Sequence, residues 1–397
     1  VRKTIISILL LLALFCASAL HAQNVTRLSN DATVSVLTCA PYEEEVFTVY
    51  GHAAMRVKDK ANNIDFVFNY GIFSFDKPNF IYRFAKGETD YELGVEDYRD
   101  YIIEYEMRGS DVTEQELNLT QPEKQHIWEL LVENYKPENR TYRYNFFFDN
   151  CATRLATLVE KSVQGRIHYL TPDKTVTFRD MINYCTRNHP WLTFGCDLAL
   201  GSPTDREANA HQQMFLPNNL RDGLANASII TPDGNVKKLV KAVSLIKAGP
   251  SEPVQKTFFT PLNCALILLL LVIAATAHEF YWKKYFVWMD ALLFTAVGIG
   301  GIVITFLTFF SVHPCTCPNW NLVYFHPLHL VAAVLFFVKK LNKAAIWYHF
   351  INFAALTLML IGWYFIPQHF NMALIPLVAI LWLRSGCYVY RKRWKKE

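Results

Sequence analysis

Cys151 stands in the run Asp149-Asn150-Cys151-Ala152-Thr153-Arg154, and Leu155, Leu158 and Ser162 follow it at helical spacing. The pattern predicts a helix with Asp149 as N-cap and the sulfur in its first turn, on the side that packs into the core. A thiol there feels the positive end of the backbone dipoles and the unpaired N–H groups, which favour thiolate over thiol. A thiolate nucleophile needs a base. Gly51-His52-Ala53-Ala54-Met55-Arg56-Val57 supplies an imidazole at the start of a strand, with small neighbours that leave room for a substrate or a closely packed helix. A lone cysteine or a lone histidine is more often a packing residue, so only the pair points to chemistry.

Nucleophile-and-base logic also asks for a group that orients the imidazole. The strand after the next turn offers Asn69 and Tyr70. A register centred on the five-residue turn sets Tyr70 opposite His52, and a slip of one residue exchanges it for Asn69. Asn69 is preferred because a carboxamide oxygen accepts an imidazole N–H well. Asn150 and the Cys151 backbone N–H are candidates for an oxyanion site. Arg154, one helical turn on, reads as a binder of an anionic head group or as a solvated cation. Arg56, on the strand face of His52, and Tyr70 complete the candidate substrate-binding set.

The elements that must position these groups are legible as short runs. Thr33 to Cys39, His52 to Lys58 and Ile64 to Tyr70 are β-rich, and Asp59 to Asn63 is turn chemistry, so the last two runs form a hairpin. Thr120, Pro122 and Glu123 form a capping box with an early proline ahead of Ile127, Leu130 and Leu131, and the helix they open stops before Pro137. Arg140 to Phe148 reads as an aromatic strand leading into the cysteine helix. The fold class is α+β, followed by an all-α membrane part across a linker at Lys247 to Lys256.

The chain has 397 residues, 52% hydrophobic and 19% charged, which excludes disorder and collagen-like repeats. Arg2 and Lys3, the apolar run Ile5 to Ala13 and the small residues Ala17-Ser18-Ala19 and Ala22 have the three-part pattern of a secretory signal over 1 to 22. Residues 23 to 258 then form an exported domain. Five candidate spans follow in 259 to 397: Leu262 to Tyr281, Phe286 to Phe310, Leu322 to Val338, Ala344 to Ile366 and Met372 to Tyr390. Lys283-Lys284, Lys339-Lys340-Lys343 and Arg391 to Lys396 fall on one side, while loops 311 to 321 and 367 to 371 hold no lysine or arginine. That asymmetry puts the exported domain on the periplasmic or exterior side of the membrane. Net charge is +4, carried by these flanks, so nucleic acid is a poor partner. The nine cysteines show no metal spacing, and Cys185 with Cys196 or Cys315 with Cys317 could pair in an oxidising compartment. No metal and no cofactor are expected.

Histidine before cysteine resembles the permuted papain-like branch that includes lecithin:retinol acyltransferase. More closely, the chain resembles the Bacteroidota-type lipoprotein N-acyltransferases. His52-Ala53-Ala54-Met55-Arg56-Val57, Val67-Phe68-Asn69-Tyr70-Gly71-Ile72-Phe73, Pro137-Glu138-Asn139-Arg140, Asp149 to Arg154, Met214-Phe215-Leu216-Pro217 and the five-span tail carry the likeness. The resemblance implies transfer of a phospholipid acyl chain, through a cysteine thioester, to the α-amine of an S-diacylglyceryl-cysteine lipoprotein. Cys151 and His52 match the acting pair; Asn69, Asn150 and Arg154 rest on the physical reading alone. Releasing a ~16-carbon chain into water costs on the order of 10 kcal/mol, which explains a thiol domain tied to a membrane. His313, His326 and His329 read as lipid-handling groups or as ordinary packing residues. Two rivals stand beside this expectation: a membrane-anchored periplasmic cysteine amidase or peptidase acting on cell-wall peptides, and a non-catalytic envelope scaffold.

Overall fold

The computed structural model describes residues 25–42, 46, 48–171, 174–248 and 257–394, so the expected signal segment lies outside the described residues. The three β-rich runs are strands β1 (Thr33–Cys39), β2 (His52–Asp59) and β3 (Ile64–Ile72), paired antiparallel as a meander. Asp59 closes the turn by accepting the Ala61 N–H, and Asn63 takes a left-handed φ of 56°, a conformation that short polar side chains tolerate. β4 (Asp90–Asp97), β5 (Val112–Leu117) and β6 (Thr141–Arg143) extend the sheet. After a small separate sheet of β7 (Arg166–His168), β8 (Ser228–Ile230) and β9 (Val236–Lys238), β10 (Val240–Ile246) completes the order β10-β5-β1-β2-β3-β4-β6.

Helices cover both faces of this sheet. α1 (Phe80–Lys86) follows β3, and α2 (Tyr98–Met107) packs Tyr101 and Tyr105 against Leu37, Ala54 and Val67 on one face. α3 (Gln121–Tyr135) and α4 (Cys151–Ser162) cover the other, where Ile127, Leu131, Leu155 and Val159 meet Val36, Met55, Val57 and Phe68. Each such fully buried side chain stabilises the fold by about 1.5–3 kcal/mol. The capping box at Thr120 and Glu123 is present, with Pro122 in the first turn of α3. The expected strand over Arg140 to Phe148 shrinks to Thr141–Arg143. The Asn145 side chain accepts the N–H groups of Phe147 and Phe148 and bends the rest into a turn that aims the aromatics at the α4 N-terminus.

α5 (Phe178–Thr186), α6 (Pro190–Ala199), α7 (Ala210–Gln213) and α8 (Pro217–Ala225) complete the first part. In the second, α9 (Pro261–Trp282), α10 (Val287–Phe309), α12 (Asn342–Gly362) and α13 (Leu374–Trp394) are the four helices among the described residues long and apolar enough to cross a membrane. The third expected span is instead an interrupted segment: a 3-10 turn at Trp320–Val323, then the eight-residue helix α11 (Leu328–Leu335). Pro327 lacks an N–H and biases His326 away from helical backbone. Gly298 and Gly301 of α10 let this segment approach closely, because a Cβ there would meet Leu330 at 2.8 Å and the His326 backbone at 2.6 Å. His326 and His329 stack on each other with ring centroids 3.9 Å apart, and His329 is fully buried, bonded to the Tyr324 carbonyl and the Tyr348 hydroxyl.

The junction between the two parts fixes where the site lies. Arg179 of α5, 2% exposed, holds Asp197 at 3.0 Å and Asp205 at 2.8 Å. Asp197 also accepts the amide of Asn371 at 2.9 Å, and Asn321 donates to its carbonyl at 2.9 Å. Gly201 N–H bonds the Cys315 carbonyl at 2.8 Å and Ser202 N–H the Pro318 carbonyl at 2.9 Å. The first part therefore rests on the two loops that carry no lysine or arginine, the side opposite the basic flanks.

Candidate active site

Cys151 is the first residue of α4, and the cap is Asn150 rather than Asp149. The Asn150 carboxamide oxygen accepts the Thr153 N–H at 2.9 Å, and its two amide hydrogens go to the Phe146 and Phe215 carbonyls, each at 2.8 Å. An asparagine can give two hydrogens and both are taken, so its side chain has none left for an oxyanion. Asp149 instead forms a fork with Arg154 at 2.6 and 2.8 Å, and the guanidinium lies 3.6 Å over the Tyr142 ring. Arg154 is thus paired and stacked, with about a quarter of its side chain exposed. Removing the cap and two buried bonds by Asn150→Ala is expected to cost roughly 2–4 kcal/mol. Thermal unfolding of the purified protein checks it, and Asn150→Ser, which restores a capping oxygen but not the two amide hydrogens, should recover about 1 kcal/mol.

His52 reaches this helix from the opposite element. β2 and β3 pair from Asp59 with Ile64 as far as Met55 with Phe68. This register differs by one residue from that of a centred five-residue turn, and it sets Gly71 level with His52. Asn69 then reaches His52 diagonally across the same face, its oxygen 2.6 Å from Nε2. The oxygen is an acceptor, so Nε2 carries the hydrogen and Nδ1 is left for the thiol. Tyr70 points the other way, 1% exposed, with Asn134 donating to its hydroxyl at 2.8 Å. Arg56 shares the His52 face but lies farther along, held by Asp65 at 2.7 Å and Glu114 at 3.0 Å and stacked over Tyr98. Neither Tyr70 nor Arg56 lines the cavity beside Cys151.

Where the β2–β3 ladder ends, the Ala53 N–H turns to the Cys151 sulfur, joined there by the Ala152 N–H and the His52 ring. Burial, the largest influence, opposes charge on the sulfur, yet the imidazolium, its hydrogen bond and the two N–H groups together hold the thiol below its ordinary range. Burial likewise opposes charge on His52, but the thiolate and Asn69 lift the imidazole above its usual value. Both directions favour the thiolate–imidazolium form over what either group would show alone. The other cysteines are unlike it. All described cysteines are unpaired, and burial pushes Cys39 up to about 12 and Cys185 to about 11 and also raises Cys196 and Cys315.

Glycines make the encounter possible. Gly51 has φ of +76°, and a Cβ on it would lie 2.8 Å from the Cys39 carbonyl oxygen. Gly71 has φ of +101°, and its Cβ would stand 3.8 Å from His52 Cε1 and 4.0 Å from Cys151 Cβ. The sequence offered no signal for Gly71 beyond its place after an apolar strand. It also gave none for Glu96, which accepts the second hydrogen bond of Asn69 at 3.4 Å. A cavity of about 110 Å³ opens beside Cys151, walled by Phe73, Tyr91, Tyr144, Phe146, Phe215 and Leu216. A second of about 390 Å³ shares His52, Gly71 and Phe73 and is more polar, with Asn69, Glu104 and Arg108. His52 borders both cavities and Cys151 the aromatic-walled one. No group of histidine, cysteine and carboxylate side chains able to hold a metal occurs among the described residues.

Two family models match the chain. The one described as Lnb N-terminal periplasmic domain covers residues 22–184, and the one described as Lnb transmembrane domain covers residues 253–396. No curated protein and no solved structure matches it. With both halves matched in order, an α+β domain ahead of apolar helices, the chain belongs to the Lnb-type lipoprotein N-acyltransferase family, as a membrane protein with a periplasmic domain.

Proposed function

We propose that this chain moves an acyl chain from a membrane phospholipid, by way of a Cys151 thioester, to the α-amine of S-diacylglyceryl-cysteine lipoproteins. The observation that carries the reading is a cysteine at a helix N-terminus beside a histidine held by Asn69, bordering an aromatic-walled cavity on the membrane side opposite the basic flanks. Residues 23 to 258 form the catalytic domain, 259 to 397 the membrane domain, and the whole sits in the inner membrane.

In the first half-reaction the Cys151 sulfur attacks the ester carbonyl carbon. Negative charge collects on the carbonyl oxygen, and the Cys151 backbone N–H, one of the unpaired donors at the start of α4, receives it. The C–O bond breaks, and the imidazolium of His52 gives its Nδ1 proton to the departing lysophospholipid oxygen. Asn69 holds the ring by Nε2 throughout. In the second half, neutral His52 takes the one proton that the neutral lipoprotein amine must lose as it becomes an amide. The nitrogen attacks the thioester, and the C–S bond breaks to restore the thiolate. Two acyl-bearing substrates share one sulfur in turn.

The test is to incubate the purified protein with labelled phospholipid and look for a hydroxylamine-labile adduct. A diacylglyceryl peptide with a free amine should then discharge it to an N-acylated product. A protein that forms no adduct under turnover conditions, or whose adduct ignores the amine, does not perform this reaction.

A further inference from the structure

A row of aromatic rings joins the Cys151 cavity to the membrane part, and the acyl-transfer chemistry itself uses none of them beyond Phe73. From the cavity wall, Phe73 lies 5.0 Å from Phe75 and 5.7 Å from Phe80, and Phe80 stacks on Phe84 at 6.1 Å. The far end belongs to α1, which is fastened to the end of α10. The Val312 N–H bonds the Lys86 carbonyl at 2.9 Å, His313 donates from Nε2 to the Phe84 carbonyl at 2.8 Å, and the Tyr82 ring lies 5.9 Å from Phe306. His313 thus has a positioning part that its sequence context did not suggest.

α1 turns an apolar surface outward at that level. Ile81 is 82% exposed, and Tyr82, Phe84 and Phe75 are about half exposed or more, beside the equally exposed Phe309, Phe310 and Val312 at the end of α10. Its two cations do not compete for this face, because Arg83 pairs with Asp90 and Lys86 with Glu88. A contiguous apolar patch of this kind needs a cover, and its continuity with the end of a membrane-crossing helix places it at hydrocarbon depth or just above, where aromatic side chains favour the interface.

We propose that α1 is an interfacial foot seated in the bilayer leaflet below the soluble domain, and that Phe84, Phe80, Phe75 and Phe73 guide a phospholipid acyl chain from that leaflet to the Cys151 thiol. The inference rests on the acyl-transfer reading and adds the path by which the donor arrives. The rings give the chain an apolar wall for the whole climb, so that it need not cross water.

Two measurements on the full-length protein in phosphatidylethanolamine–phosphatidylglycerol vesicles test it. The first uses a phospholipid with a photoactivatable diazirine on one acyl chain, followed by peptide mapping. Label on the segment from Phe75 to Phe84 is expected. Label confined to α9 through α13, or a cross-linked second copy of the chain in place of lipid on that segment, overturns the proposal. The second compares Ile81→Glu with wild type. Adduct formation from vesicle phospholipid should fall about tenfold or more, the effect of some 1.4 kcal/mol of lost seating, while acylation by a soluble short-chain ester such as p-nitrophenyl butyrate is unchanged, because Ile81 touches no reacting group. Equal vesicle rates for variant and wild type overturn the path. A wild type acylated by neither donor overturns the acyl-transfer reading instead, and the photolabel still decides where α1 sits.

Discussion

Cys151→Ala is expected to abolish the acyl adduct and to lower transfer to a diacylglyceryl peptide by roughly 10⁴-fold or more, the scale on which loss of a nucleophile is felt. Cys39 and Cys185 are poor substitutes. Cys39 is sealed in the core 3.0 Å from the Tyr101 hydroxyl and pushed up to about 12 by burial, and Cys185 is pushed to about 11. Cys151→Ser provides the sharper comparison. It keeps the Asn150 cap and the packing of α4, but a hydroxyl does not ionise beside an imidazole as a thiol does, so the variant should fold and still fail. Single-turnover labelling with radioactive phospholipid reads both variants. An adduct that survives in Cys151→Ala would place the thioester on another residue and end the proposed mechanism.

Much of the frame that carries this thiol was legible because local chemistry decides it. The β1 to β3 runs, the Asp59 to Asn63 turn and the Thr120 box each depend on neighbours in sequence. What was not legible depends on residues far apart. Asp149 looks as good a cap as Asn150 until Phe146 and Phe215 present carbonyls that only an amide can satisfy. Arg154 looks available until Asp149 and Tyr142 enclose it, and Arg56 until Asp65 and Glu114 do. The His52 partner turned on a single step of register, and a four-residue link carried Asn69 to the diagonal position instead of the opposite one. Hydropathy saw a full third span because it averages over Pro327, whereas the backbone breaks there. The placement of Cys151 and His52 was readable, since a helix N-terminus and a strand start are both local signals. The two cavities beside them were not.

His52→Ala is expected to lower acyl transfer by about 10²–10⁴-fold, the usual contribution of a positioned general acid–base, and the pH profile tells how it acts. In the wild type the thiol sits below its ordinary range and the imidazole above its own. The nucleophile therefore appears as pH rises through the lowered thiol value, and the proton needed by the leaving oxygen is lost as pH rises through the raised imidazole value. Adduct formation should follow a bell whose acid limb lies below the range of a free thiol and whose alkaline limb lies above that of a free imidazole, each limb a property of the coupled pair. Asn69→Ala removes the acceptor at Nε2, one of the influences that raise the ring. Its alkaline limb should move to lower pH while the acid limb moves up, because a weaker imidazolium stabilises the thiolate less. His52→Ala should lose the imidazole limb and leave a single rise at ordinary thiol pH. A rate that falls in Asn69→Ala with both limbs unmoved would make Asn69 a packing residue and remove it from the reaction. Limbs that narrow from both sides would tie the imidazole's basicity to the carboxamide 2.6 Å away.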